Sequence, residues 1–363
     1  MEFWQSLVLL IIILAIPKLR KAYLTPNVAQ RPPASAWSAS DWRAGSGAGR
    51  LPFFDTARGI AIIAVILIHS IYLFVEKFPD YNSFWLDVIN NLSRFAVGFF
   101  FIASGALLSS GLTVKKIIRV FIPYVLFCVV VGLSQQKSVG LIIGGVFRGD
   151  LLPPYYFIPV LFQFYLLFPL LNKFKYKKYF LPATLLLSFI AYPTPGLTYI
   201  AVVPTFMPFL FLFTFGIAYS DRLKSNKPFE NINLWLLIIP IYMGLILMLP
   251  AHYYNSRFFY APAMFVVLHY LWHKFEAVKS AKLLLTFGKL SLWIYLVHFS
   301  VESLFVNLLP YDFNYSVFVY ILLITILTTA ASGVVAKLFE NVYFQFLGLV
   351  KKKPLHSLFV KGD

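Results

Sequence analysis

Charge is scarce in this chain. Only 12% of its 363 residues are Asp, Glu, Lys or Arg, and 14 acids face 31 bases. An ordinary soluble domain carries about twice that charged share. Cysteine is nearly absent. The single Cys128 sits in an apolar run, which excludes a disulfide or thiolate metal site within the chain and leaves a small packing residue. There is no succession of alternating ten-residue segments, so a transmembrane β-barrel is excluded. No internal repeat is visible, so the signature of many transporters is missing. What is abundant is apolar surface: 60% hydrophobic, 19% aromatic and a mean hydropathy of +0.78. That composition belongs to a polytopic membrane protein whose spans are helices, which satisfy their own backbone groups.

The net charge of +17 does not point to nucleic acid. The cations sit in short loops between apolar runs, where they set orientation in a membrane. Anionic lipid and anionic ligands are the partners this implies. Residues 1–21 predict a short membrane helix, apolar over 4–17 and followed by Lys18, Arg20 and Lys21. The positive charge comes after the run, so the N-terminus is expected outside and the segment uncleaved. Residues 22–52 are rich in Pro, Ala, Ser and Gly and read as a cytoplasmic linker. A ten-span domain over 53–340 follows, with spans at about 54–74, 92–110, 117–133, 154–171, 179–199, 204–219, 233–250, 257–273, 287–309 and 315–338. Residues 138–147 are too short and Gly-rich to cross and read as re-entrant or interfacial. A basic tail, 341–363, ends the chain in the cytoplasm. Alternating the loops puts nearly every Lys and Arg on one side, the exceptions being Lys77, Lys137, Arg148, Arg257 and Arg94.

The first core span carries the chemistry. In FDTARGIAIIAVILIH, Arg58 and His69 are eleven residues apart with mostly aliphatic residues between. On a helix that step is about 16 Å of rise and about 20° of rotation, so both lie on one face. Ionisable groups on such a stripe face a protein interior or a water-filled path. The bland alternative is a membrane-edge anchor and a hydrogen-bonded core histidine. Span two pairs a Phe run with Ser104-Gly105, small residues that let helices approach. Span four opens on PPYYFIPVLFQFYLLFP, with aromatics at an interface and Gln163 within the bilayer. Span nine, GKLSLWIYLVHF, ends in His298, with Glu302 one turn later on the same face.

This set resembles the acyltransferase-3 family of bacterial membrane proteins. The resemblance covers about residues 51–338. Its hallmark, a basic residue and a histidine separated by ten residues, is met by Arg58 and His69. FFFIASGALL, YYFIPVLFQFYLLFP and GKLSLWIYLVHF follow in the family's order. The N-terminal helix and linker precede the usual start of the fold. Where relatives often carry a Trp, this chain has Tyr155, Tyr156 and Phe157.

The resemblance implies an integral inner-membrane enzyme that moves an acyl group, acetyl by default and succinyl as the nearest variant. The donor implied is cytoplasmic acyl-coenzyme A, here acetyl-CoA. The acceptor is a hydroxyl of a cell-surface or lipid-linked polysaccharide. Arg58, planar and permanently charged, suits a phosphate. His69 suits the role of base for a sugar hydroxyl. Asp55 is placed to orient Arg58 or to meet the helix dipole. Arg94 is read as an oxyanion partner or an outward-snorkelling cation. Ser104 reads as packing or site, and Tyr155, Tyr156 and Gln163 as an acceptor path or an aromatic belt. His298 and Glu302 form a second polar pair. No metal is expected: His269 and His273 are four apart without a third ligand, and His252 and His356 fall in a loop and the tail. A transporter or exporter, or a membrane scaffold docking through the linker, are the competing classes.

Overall fold

The computed structural model describes residues 2–24, 51–81, 83–108, 114–200, 202–224, 229, 231–248, 257–311 and 316–352. Most of the expected linker, His252, and the tail beyond residue 352 with His356 lie outside the described residues. The chain is an all-α polytopic membrane protein, and a helix stands at each of the ten expected core positions. The elements are α1 (Glu2–Ala15), α2 (Pro17–Leu24), α3 (Pro52–Lys77), α4 (Phe84–Ser93), α5 (Phe95–Leu108), α6 (Val114–Ser134), α7 (Val139–Arg148), α8 (Phe157–Lys173) and α9 (Phe180–Ala191). Then come α10 (Pro195–Thr198), the paired strands β1 (Tyr199–Ile200) and β2 (Val203–Pro204), α11 (Leu210–Lys224), α12 (Ile232–Met248) and α13 (Arg257–Lys274). The last are α14 (Glu276–Lys279), α15 (Lys282–Lys289), α16 (Ser291–Leu308) and α17 (Val317–Lys352).

Among the described residues, six stretches are long and apolar enough to cross a bilayer: 52–77, 84–108, 116–134, 153–173, 291–308 and 317–345. Large apolar side chains point outward, among them Val130, Leu133, Val319 and Leu322. The polar residues turn inward: Thr328, Ser332, His298 and Glu302 are fully buried. This is the arrangement expected when the solvent is hydrocarbon.

Four boundaries differ from the sequence expectation. Span two starts at Phe84, not near 92, and its helix breaks at Arg94. Span five ends at Ala191, because Pro193 and Pro195 withdraw backbone donors. The chain then makes the β1–β2 hairpin, and span six begins at Leu210 rather than 204, past Pro204 and Pro208. Span nine is kinked at Leu290, just after Gly288, which separates α15 from α16. The short 139–148 segment is a ten-residue helix closed by Gly149 in the left-handed region, at φ +66°.

Glycine brings α3 and α15 into backbone contact. A Cβ on Gly59 would stand 2.1 Å from the Leu284 carbonyl oxygen, and one on Gly288 only 1.6 Å from that of Asp55. Neither position tolerates any side chain. The contact fixes α15 against the first turns of α3, beside Arg58.

Candidate functional site

Helix α3 opens with Pro52 in its first turn, where no backbone donor is needed. Asp55 follows, favoured there by the helix dipole. The Arg58 guanidinium meets the Asp55 carboxylate at 3.6 Å; their side chains are 27% and 8% exposed. Arg58 therefore sits at a lip, open on one side and held on the other. Buried Tyr165 of α8 comes within electrostatic reach of it. Because α3 runs unbroken to Lys77, the expected stripe is real geometry: His69 stands about 16 Å further along the same face.

At that depth His69 meets α16, which runs parallel to α3. Its ring centroid lies 5.3 Å from that of His298 and 5.4 Å, edge-on, from Phe299. Its Nδ1 is buried with no hydrogen-bond partner among the described residues. His298 is held differently. Its Nδ1 lies 2.8 Å from the Tyr295 carbonyl oxygen. A carbonyl only accepts, so Nδ1 carries the proton and the neutral ring keeps its lone pair on Nε2. That Nε2 is buried and likewise without a partner among the described residues. The backbone has thus set the tautomer of a base beside His69.

One residue beyond His69, the Ser70 hydroxyl donates to the Glu302 carboxylate, and it lies 3.0 Å from the Thr325 hydroxyl. Glu302 is fully buried one turn after His298. This knot joins α3, α16 and α17 at the level of the imidazoles. The Lys77 ammonium adds a second α3–α16 tie, donating to the Val306 carbonyl at 2.6 Å. Two helices are thereby tied at two successive levels just beyond both rings, which fixes the spacing of the pair.

Arg94 comes to the same place. It occupies the break between α4 and α5 (φ −68°, ψ −8°), midway along the 84–108 stretch, deeper than the outer third expected from sequence. Its guanidinium is within electrostatic reach of His69.

The remaining candidates are dispersed. Gln163 donates to the Pro204 carbonyl at 2.7 Å and accepts from the Phe206 N–H at 3.0 Å. Both ends of its amide clamp the hairpin before α11. Tyr155 is buried and donates to the Leu296 carbonyl at 2.8 Å, while Tyr295 donates back to the Pro154 carbonyl. The aromatic head of α8 is therefore pinned to the turn of α16 that precedes His298. Tyr156 is half-buried and stacks on Phe209 at 6.3 Å. Ser104 is half-buried on α5, whose tight contact is with α11 through Gly105. The His269 and His273 rings lie 4.5 Å apart, tilted at 58°, and His269 meets Phe53 edge-on. Among the described residues no three His, Cys, Asp or Glu side chains gather as a metal site.

Sequence reasoning missed Ser70, Thr325 and Tyr165. Thr325, Thr328, Thr329 and Ser332 recur at i, i+3, i+4 and i+7, a polar face inside an apolar span. That spacing was a readable signal.

Helices packed in this way, with imidazoles and a carboxyl buried below a cationic lip, define a multi-pass membrane protein that keeps polar chemistry in its core. The model of a known family, the acyltransferase domain of the acyltransferase-3 type, matches residues 51–337. The chain belongs to that family and is a membrane acyltransferase. No curated protein and no solved structure matches it.

Proposed function

We propose that this protein moves an acyl group, acetyl by default, from cytoplasmic acyl-coenzyme A to a hydroxyl of an extracytoplasmic or lipid-linked polysaccharide. The observation that carries this reading is the α3 stripe: Arg58 at a partly open lip and His69, beside His298, about 16 Å deeper on the same face. The basic loops favour placing the Arg58 end and the C-terminus in the cytoplasm and the N-terminus outside, in a bacterial inner membrane.

Arg58, with Asp55 beside it, holds a phosphate of the donor by paired N–H donors. The extended carrier reaches inward and brings its thioester to the imidazoles. His69 takes the proton of the acceptor hydroxyl as the oxygen attacks the thioester carbonyl. The C–O bond forms, the C–S bond breaks, and the imidazolium returns the proton to the departing thiolate. His298, with its lone pair on Nε2, accepts from or orients His69. Arg94 stabilises the oxyanion of the tetrahedral intermediate. Succinyl carries a carboxymethyl group that acetyl lacks, and a cation at this depth would distinguish the two by its carboxylate.

The test is the ester content of surface glycan, by proton NMR, in cells lacking the gene and complemented with wild type, His69→Ala or Arg58→Ala at matched protein level. Ester with wild type alone, on glycan made in normal amount, is the expected result. A fall in the glycan itself with unchanged esters would instead mark an exporter.

A further inference from the structure

The break at Arg94 is a built feature. Where α4 stops, the backbone carbonyls of Asn91 and Leu92 are taken up by two tyrosine hydroxyls. Tyr242 donates to Asn91 at 3.4 Å and Tyr260 to Leu92 at 2.9 Å. These tyrosines come from α12 and α13 and stack face to face at 4.2 Å. Two distant helices thus supply hydroxyls to a one-residue break, where the Arg94 N–H closes a tighter turn on the Asn91 carbonyl at 3.2 Å. Irregular backbone at such depth is tolerated where it is buried in protein or lines a polar cavity.

The side chains around the break point the same way. Asp87, Asn90 and Arg94 recur at i, i+3 and i+7, on one face over about 10 Å. The face is half-buried at Asp87 and Asn90, α4 packs on α3, and the stripe ends beside His69. Asn91 flanks it and is 2% exposed. The Oδ1 atoms of Asn90 and Asn91 are both buried with no hydrogen-bond partner among the described residues. A buried amide oxygen left unmet is costly, so each of these calls for a donor.

We infer that this stripe is the subsite for the acyl acceptor, and that the ligand it takes is a hydroxyl-rich saccharide. The inference rests on the acyl-transfer reading above. Asp87 and Arg94 are opposite in sign, so the stripe favours no ionic ligand. The Asp87 carboxylate and the Asn90 and Asn91 oxygens accept from sugar hydroxyls, and Arg94 donates to them. The stripe leads from the Phe84 end of α4 down to His69, so a saccharide lying along it delivers a hydroxyl to the imidazole.

The experiment uses the full chain with its single cysteine replaced, Cys128→Ser. Asp87→Cys, Asn90→Cys, Leu86→Cys and Val88→Cys are added singly and treated in spheroplasts with a membrane-impermeant maleimide. Labelling of Asp87→Cys and Asn90→Cys, with the packed neighbours Leu86→Cys and Val88→Cys silent, is expected. Failure of both polar positions to label overturns the subsite, whatever the enzyme does. In parallel, glycan esters are measured for Asp87→Ala, Asn90→Ala and Asn90→Ser at matched protein level. Alanine is expected to lower ester content about tenfold, and Asn90→Ser, which keeps an acceptor oxygen, to recover part of it. Alanine variants with wild-type esters overturn the acceptor role even if the thiols label. A wild type that makes no ester removes the acyl-transfer reading itself, and the labelling result is read separately.

Discussion

The two ends of α3 are held to their neighbours by opposite means. At the Arg58 end the contact is steric: Gly59 and Gly288 let two backbones touch. At the His69 end the contact is polar: Ser70, Glu302 and Thr325 reach across three helices. The first kind leaves the lip half-open while making its wall rigid. The second is expensive to bury, since each polar atom must find a partner in a medium without water, yet it fixes rotation as well as distance. A lip that holds an anion, as proposed for Arg58, would require only placement. Two imidazoles with the roles proposed above would require orientation.

The contrast is broken most completely by removing the base. His69→Ala should reduce acyl transfer about 10²- to 10⁴-fold, measured with purified protein in nanodiscs, while leaving the thermal midpoint near that of wild type. Gly288→Val tests the steric end. Its Cβ has nowhere to go, and overpacking of this kind costs about 1–3 kcal/mol or more. The expected outcome is a lowered unfolding midpoint, or no folded protein, in detergent-solubilised preparations; a normal midpoint would mean that α15 does not rest on α3 in this way.

The polar end should respond in a graded manner. Ser70→Ala strips the donor from a buried carboxyl and should cost about 1–3 kcal/mol. Glu302→Gln, which keeps an acceptor for Ser70, should cost less than Glu302→Ala. A cycle of Ser70→Ala with Thr325→Val should be non-additive, because the two share one network. Additive losses would show that the knot is three separate contacts. The smallest effect is expected at the lip. The Asp55–Arg58 pair is spaced i, i+3 and partly exposed, so Asp55→Asn should change stability by less than about 1 kcal/mol. Arg58→Lys keeps the charge but loses the planar fork, and should weaken acyl-CoA use several-fold through KM rather than kcat.

Much of this was legible in the chain. The apolar runs gave the helices, and the eleven-residue step from Arg58 to His69 needed only a helix that does not break. His298 and Glu302 were readable as one face by their four-residue spacing. The break at Arg94 was not, because the run Asn90-Asn91-Leu92-Ser93 contains neither proline nor glycine. What stabilises it are Tyr242 and Tyr260, more than 150 positions away. Ser70 was missed because its partners lie on helices whose register no local pattern sets. Gly59 and Gly288 were hidden for the same reason: what each approaches is a backbone more than 200 residues distant.

The length of α17 has one more consequence. Its 36 residues span about 54 Å, against about 30 Å of hydrocarbon. The helix runs antiparallel to α3, and Thr325 is level with Ser70. Twelve residues on, Lys337 stands about 18 Å below that level, and twelve residues back along α3 stands Arg58. The two cations share a plane, and Lys337 pairs there with Glu340 at 2.7 Å. His69 therefore sits about 16 Å from that plane of cations, a distance near half the thickness of a hydrocarbon layer. Under the proposed reaction neither substrate would have to traverse the whole membrane: each would travel about that far, and the reacting atoms would meet in between.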